Sequence, residues 1–264
     1  MLPRVLTIAG SDPSGGAGIQ ADLKTFTVFG VYGMSAITAL TAQNTRGVTG
    51  IHMVPADFVR RQIDAVASDI GIDAVKTGML PTAAIVGAVA AAVRAHGLTP
   101  LVVDPVMQAT SGDALCDAEV RAALLDALIP LAALVTPNAY EAAALTDLRI
   151  RSVDDARAAA RALITRGARA VLVKGGHVEG NEAVDIFDDG HVVRELRAPR
   201  VLTPHTHGTG CQLSAAIAAG LAADLPLLAA VERAKDFITD AIRGGLALGA
   251  GNGPANPLAW LGRK

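Results

Sequence analysis

The stretch His205–Ala219, HTHGTGCQLSAAIAA, decides how this chain is read. Gly208 and Gly210 flank Thr209, Cys211 follows at once, and no Asp, Glu, Lys or Arg interrupts the apolar run until Asp224. Glycine reaches positive φ without steric cost, so Gly208–Gly210 predicts a tight turn, and the apolar run predicts a buried helix over Cys211–Ala223. The start of a helix leaves backbone N–H groups unpaired and carries a partial positive charge, which makes it an anion site. The same field is expected to lower the pKa of Cys211. The segment thus combines an oxyanion cradle with a candidate base. The plainer reading is a glycine turn leading into a core helix with a structural cysteine.

Working outward, short Val-, Ile- and Leu-rich runs alternate with longer Ala-rich segments of helical period. Strands are predicted at 4–9, 35–39, 74–76, 101–103, 133–136 and 170–174. Helices are predicted at 16–29, 56–70, 82–96, 118–128, 138–145, 153–166, 211–223 and 227–246. Residues 182–187 and 191–195, joined at Asp189-Gly190, read as a hairpin with a type I′ turn. This alternation implies an α/β fold, a mostly parallel sheet covered by helices on both faces. No internal repeat, low-complexity tract or linker breaks the 264 residues, so one domain over 1–264 is expected.

Composition narrows the function. A net charge of −2 argues against nucleic acid or an anionic membrane as a partner. The longest strongly apolar run, Ala83–Val93, falls far short of the ~20 residues that span a bilayer. The N-terminal MLPRVLTIAG reads as a strand rather than a signal peptide, and the two cysteines, Cys116 and Cys211, make no disulfide framework. A cytoplasmic protein is expected. Only five lysines stand among 23 basic residues. A compact ammonium suits a phosphate oxygen, so a retained lysine can mark such a contact.

In an open α/β sheet, ligands collect beyond the C-terminal strand ends. Gly10-Ser11-Asp12, Asp104-Pro105, Thr136-Pro137-Asn138 and Lys174-Gly175-Gly176 fall at such ends. Gly10, Gly15, Gly16 and Gly18 fail the spacing of a dinucleotide fingerprint, which disfavours an oxidoreductase, and no Gly-Lys-Ser/Thr closes a Walker A loop. Asp12-Pro13-Ser14-Gly15 reads as a turn before a helix, and Asp22 lies in that helix as either a cleft residue or an exposed carboxylate. Asp104, directly after an apolar strand, can hold Mg²⁺ through water. Asn138 and Glu141 have capping-box spacing, which by itself satisfies a helix terminus and nothing more. Lys174 ends a strand before two glycines and is either a phosphate contact or solvated; Lys235 is a mid-helix lysine of the kind usually in solvent. Together these groups supply metal ligands, a phosphate cation, an oxyanion cradle and a base, the requirements of phosphoryl transfer.

At this point the chain resembles the ribokinase-like superfamily and, within it, the hydroxymethylpyrimidine/phosphomethylpyrimidine kinases of thiamine biosynthesis. The resemblance runs from Leu6 to about Gly253. It rests on TIAGSDPSGGAGIQADLKTF (7–26), ITALTAQNTRGV (37–48), KTGML (76–80), VVDPVM (102–107), TPNAYEA (136–142), VKGGH (173–177) and THGTGC (206–211). It implies a three-layer α/β/α fold and ATP as co-substrate with Mg²⁺. It also implies a small pyrimidine as substrate, two successive phosphorylations, and a homodimer.

By the same resemblance, Gln43 meets the pyrimidine, with Gly10, Ala17, Asp22, Met79 and Val106 around it. Asp104 and Glu141 stand near Mg²⁺. Asn138, Lys174, Thr209 and Lys235 serve ATP. Gly208, Gly210 and Cys211 form the anion hole, with Cys211 as base where sugar kinases carry an aspartate. A cation such as Lys235 near the thiol would serve both steps. Thr110, His205 and Pro257 depart from residues common in the family. A pyridoxal-type kinase and a non-catalytic pyrimidine sensor are the competing readings. The set Asp104, Glu141, Lys174 and Cys211 argues against a sensor, which needs neither metal nor anion-hole groups.

Overall fold

The computed structural model describes residues 2–108, 116–177 and 180–262; Thr110 lies outside them. Its strands are β1 (Arg4–Ser11), β2 (Tyr32–Asn44), β3 (Gly47–Met53), β4 (Ala74–Thr77), β5 (Leu101–Val103), β6 (Leu134–Val135), β7 (Val171–Val173), β8 (Glu182–Asp188) and β9 (Val193–Pro199). The α-helices are α1 (Gly18–Val28), α2 (Ala56–Asp69), α3 (Ala83–His96), α4 (Ala118–Ala123), α5 (Ala139–Thr146), α6 (Val153–Thr165), α7 (Thr209–Ala222) and α8 (Leu227–Arg243). A π-helical turn, Leu124–Leu128, extends α4.

One nine-stranded sheet carries them in the order β3-β2-β1-β4-β5-β6-β7-β8-β9. The strands from β2 through β7 in that order are parallel, and β3, β8 and β9 join antiparallel. Successive side chains of a strand face opposite ways, and here both faces are covered. Leu6, Val75, Leu101, Val103, Val135 and Val171 join the core beneath α2–α6. Their neighbours Val5, Ala74, Val102, Leu134 and Leu172 join the core beneath α1, α7 and α8. This is the expected three-layer arrangement, and it explains why the short central strands read as unbroken apolar runs.

Several expectations change, α8 for one ending at Arg243 rather than at residue 246. β2 runs to Asn44 and pairs with β3, a strand that Gly47 and Gly50 disguise as loop. Asp188 pairs with Val193, so the β8–β9 connection is four residues rather than a type I′ turn. Asp189 is absent from the positive-φ residues; its Oδ1 accepts from the amides of His191 and Val192 and folds the loop instead. Finally, α7 begins at Thr209, two residues earlier than predicted, because Gly208 at φ +77° caps it.

Candidate active site

Gly208 has the left-handed conformation, and a Cβ added there would lie 1.8 Å from the Gly16 carbonyl oxygen. Only glycine lets the α7 turn close against the Asp12–Gly18 loop. α7 has no side-chain N-cap, so its first-turn amides, Gly210 and Cys211 among them, are those a helix leaves without intrahelical acceptors. A Cβ on Gly210 would stand 3.2 Å from Lys174 Nζ and 3.9 Å from Asp104 Oδ2, so the turn adjoins a charge cluster.

That cluster forms where β5 and β7 end. Lys174 Nζ donates to Asp104 Oδ1 at 2.8 Å and lies 3.7 Å from Glu141 Oε2. Ser214, one turn into α7, donates to Asp104 Oδ2 at 3.1 Å. The capping box exists: Asn138 Oδ1 accepts from the Glu141 amide and Glu141 Oε2 from the Asn138 amide. The capping reading and the site reading therefore both hold for Glu141, which is a cap turned inward against Lys174. Burial pushes the Glu141 carboxyl up to about 7, helped by the Asp104 charge and opposed by Lys174. Burial also disfavours the Asp104 anion, but Lys174 and Lys76 outweigh it and hold that carboxyl low. Lys174 is raised, because the two acids outweigh its burial.

A second buried pair lies behind Cys211. Lys76, on β4, donates to Asp22 Oδ2 at 2.8 Å, with both side chains fully buried, and Thr7 donates to the same oxygen at 2.6 Å. Asp22 is thus neither an exposed carboxylate nor part of the cleft wall. Lys76 was absent from the expected site. Part of the signal was available, a lysine within the buried strand Ala74–Thr77, but its partner was not. The thiol expectation is overturned. Burial pushes Cys211 up to about 11, and the Asp22 and Asp104 charges add to this; Lys76 and an N–H donated by Gly18 oppose it incompletely. Desolvation of the thiolate outweighs the field of one helix terminus. The cations acting on Cys211 are Lys76 foremost and Lys174, rather than Lys235. Lys235 is not solvated either; it is buried against Asp185 Oδ2 at 2.8 Å and the Ala183 carbonyl at 3.1 Å.

A cleft of about 600 Å³ runs through these elements. Every expected site residue except Asp22 lines it. Gly10 and Gln43 come from β1 and β2, Ala17 precedes α1, and Met79 and Val106 follow β4 and β5. Asp104, Asn138 and Lys174 follow β5, β6 and β7, Glu141 lies on α5 and Lys235 on α8, and Gly208, Thr209, Gly210 and Cys211 open α7. Gln43 Oε1 accepts from the Thr41 hydroxyl at 3.1 Å, which orients its amide. Asp12, expected only as a polar group at a strand end, lines the same cleft, as do His207 and Asp185, which were not expected there.

The phosphomethylpyrimidine kinase family profile matches residues 12–256. The chain belongs to this family. It is 53% identical over 260 residues to the hydroxymethylpyrimidine/phosphomethylpyrimidine kinase of Rhizobium meliloti, covering 97% of each chain. It is also 53% identical over 254 residues to the thiamine biosynthesis bifunctional protein ThiED of Geobacter sulfurreducens; there the match spans 96% of this chain but only 52% of the longer protein. A crystal structure of Bacillus subtilis pyridoxal kinase in complex with ADP matches all of both chains, with a TM-score of 0.94 and 38% identity. The fold is that of these ribokinase-like kinases, and the chain is a phosphotransferase of the phosphomethylpyrimidine kinase family. No helix among the described residues is long and apolar enough to cross a membrane.

Proposed function

We propose that this protein transfers the γ-phosphoryl group of ATP to 4-amino-5-hydroxymethyl-2-methylpyrimidine, and then phosphorylates the monophosphate to the diphosphate. The observation that carries the reading is one cleft lined by Gln43, the Gly208–Cys211 turn and the Asp104–Lys174–Glu141 cluster, in a chain with the family likeness above. Gln43 pairs with the edge of the aminopyrimidine, and Met79 and Val106 pack on the ring. In the first step the hydroxymethyl oxygen forms a bond to Pγ, the bond from Pγ to the ADP oxygen breaks, and the hydroxyl proton passes to the thiolate form of Cys211, the minor form at neutral pH. The amides of Gly210 and Cys211 face the charge on the moving group, where fixed donors act without reorganising. Lys174, with Asn138 and Thr209, meets the phosphates.

Asp104 and Glu141 are two buried acids sharing one ammonium. The charge left over, together with an all-oxygen donor set, fits Mg²⁺, which keeps much of its water and binds through one or two carboxylates. Bound there, Mg²⁺ would neutralise triphosphate charge. In the second step the acceptor is already an anionic phosphate oxygen, so no base is needed.

The same reading makes residues 1–264 one kinase domain, placed in the cytoplasm and paired as a homodimer. Leu40, Ile51 and Met53, exposed on β2 and β3, are surface that such pairing would cover. The likeness to pyridoxal kinase favours a second reading, vitamin B6 phosphorylation. Product analysis with ATP and Mg²⁺ separates them. Mono- and diphosphorylated pyrimidine are expected, with pyridoxal turned over far more slowly. Preferred turnover of pyridoxal would reverse the assignment.

A further inference from the structure

The cleft depends on two loops from opposite ends of the chain. One is Asp12–Gly18, which carries Ala17 on the acceptor side. The other is the His207–Gly208 turn, which opens α7. A single buried carboxylate ties them. Asp12 Oδ2 lies 2.8 Å from His207 Nε2 and accepts from the Ala17 amide at 2.8 Å and the Ser14 hydroxyl at 2.9 Å, while Oδ1 accepts from the Ser14 amide at 2.8 Å. Asp12 and His207 are 2% and 4% exposed.

Other contacts lock each member of the pair. The Asp12 amide donates to Gln20 Oε1 on α1. The His207 amide donates to the Gly253 carbonyl, and the Ala255 amide donates to the His207 carbonyl. The seam is close-packed: a Cβ on Gly16 would lie 2.3 Å from His207 Cδ2. Neither side chain is needed for the phosphate chemistry assigned above, yet a buried ionisable pair is costly unless geometry is gained from it.

We propose that Asp12 and His207 are positioning residues. Their contact sets the distance between the acceptor pocket at Ala17 and the phosphoryl cradle at Gly208–Cys211, so that the γ-phosphoryl group meets the pyrimidine oxygen rather than water. The inference rests on the kinase reading above. A misplacement of about 1 Å between reacting groups costs up to ~10²-fold in rate, and here the two halves of the reaction centre sit on separate loops.

The test is the number of ADP molecules formed per phosphorylated pyrimidine, measured with kcat and KM for His207→Phe, His207→Gln and the wild type. For His207→Phe the ratio is expected to rise from one to about two or more, with kcat down about tenfold or further and KM for ATP nearly unchanged. His207→Gln keeps a donor directed at Asp12 and is expected to restore a ratio of one. His207→Asn, whose amide is too short to reach Asp12, replaces Phe if Phe is not tolerated, and the same uncoupling is expected. A ratio that stays at one in both Phe and Asn variants overturns the proposal, as does equal loss in the Gln and Phe variants.

Hydrogen exchange without substrate gives a readout independent of the kinase reading. The amides of 17–20 and 208–212 should exchange together, about tenfold faster, in His207→Phe, since one charged hydrogen bond is worth that much. Acceleration of one segment alone overturns the coupling. Failure of the wild type to phosphorylate the pyrimidine would instead sink the proposed function and leave the exchange result standing.

Discussion

Lys76 and Lys174 stand at or just past the C-terminal ends of parallel strands, and each holds an aspartate oxygen at 2.8 Å. They differ in what surrounds the pair. Lys76 and Asp22 are both fully buried, with Thr7 closing the shared oxygen. Both lysines border the cleft, but the Lys174 side chain is 12% exposed and is shared by a second acid, Glu141. The first pair is sealed and balanced, one charge against one. The second is open and gains surplus negative charge as Glu141 ionises near pH 7. A sealed ion pair contributes to stability chiefly when one partner is removed, because the other is then stranded in low dielectric. An open pair with surplus charge is poised for a ligand. The same chemical pair thus supports the wall of the site in one place and serves as the site in the other.

Breaking the sealed pair should give the largest effect. Lys76→Met strands the Asp22 carboxylate and is expected to cost about 3–5 kcal/mol of unfolding free energy, with Asp22→Asn/Lys76→Met recovering most of it. Urea unfolding reads this directly. A single variant as stable as the double would mean that water reaches Asp22. Lys174→Met should do the reverse. Turnover is expected to fall about 10²–10³-fold, the usual result of removing one fixed stabiliser of transition-state charge. Its loss of urea midpoint should be smaller than that of Lys76→Met, since cleft water reaches Asp104 and Glu141. Equal midpoint losses would erase the distinction between the pairs.

Cys211 lies between the two pairs and feels both. Its thiol is raised to about 11, burial being the largest cause, so at neutral pH it is protonated and the thiolate is the minor form. The sign follows: below that pKa, each added pH unit raises the thiolate fraction about tenfold. The first phosphorylation, which needs a base, should therefore rise more steeply from pH 7 to pH 9 than the second, both sharing the ionisation of Glu141 near 7. Cys211→Ala should slow the first step by about 10²-fold, within the range for lost proton transfer, and affect the second less. Equal loss in both steps, or identical pH profiles, would remove Cys211 from the role of base.

The legibility of the chain follows the same division. The parallel core was readable because Leu101–Val103 and Val171–Val173 are apolar on both faces, a pattern that needs helices above and below. The cleft was readable where chemistry-bearing residues follow such strands at once, as Asp104 and Lys174 do. β3 was not, since an exposed edge strand with two glycines has neither an apolar run nor a clean alternation. Nor were the partners of buried charge. Nothing local in DLK or AVKTG says that Asp22 meets Lys76, 54 residues away, or that Asp12 meets His207, 195 residues away. Such pairs are made by tertiary packing. The raised Cys211 thiol was missed for the same reason: the helix field is local and visible, whereas desolvation comes from the whole fold.

The smallest expected effect tests Asn138, where, as at Glu141, the capping and site readings meet. Asn138 caps α5 and, in the function proposed above, meets nucleotide phosphate. Its backbone also bridges to Lys174 in the adjoining strand position. Asn138→Ala removes the side-chain acceptor for the Glu141 amide and is expected to cost about 1 kcal/mol of stability, as lost N-caps do. Asn138→Asp keeps an acceptor at the cap and should restore that stability. It also adds a negative charge facing the phosphates, next to the cluster that gains a surplus as Glu141 ionises, so KM for ATP should rise in Asp while stability returns. If KM for ATP follows stability, worse in Ala and normal in Asp, Asn138 is a cap alone, and the phosphates are held by Lys174 and the α7 turn without it.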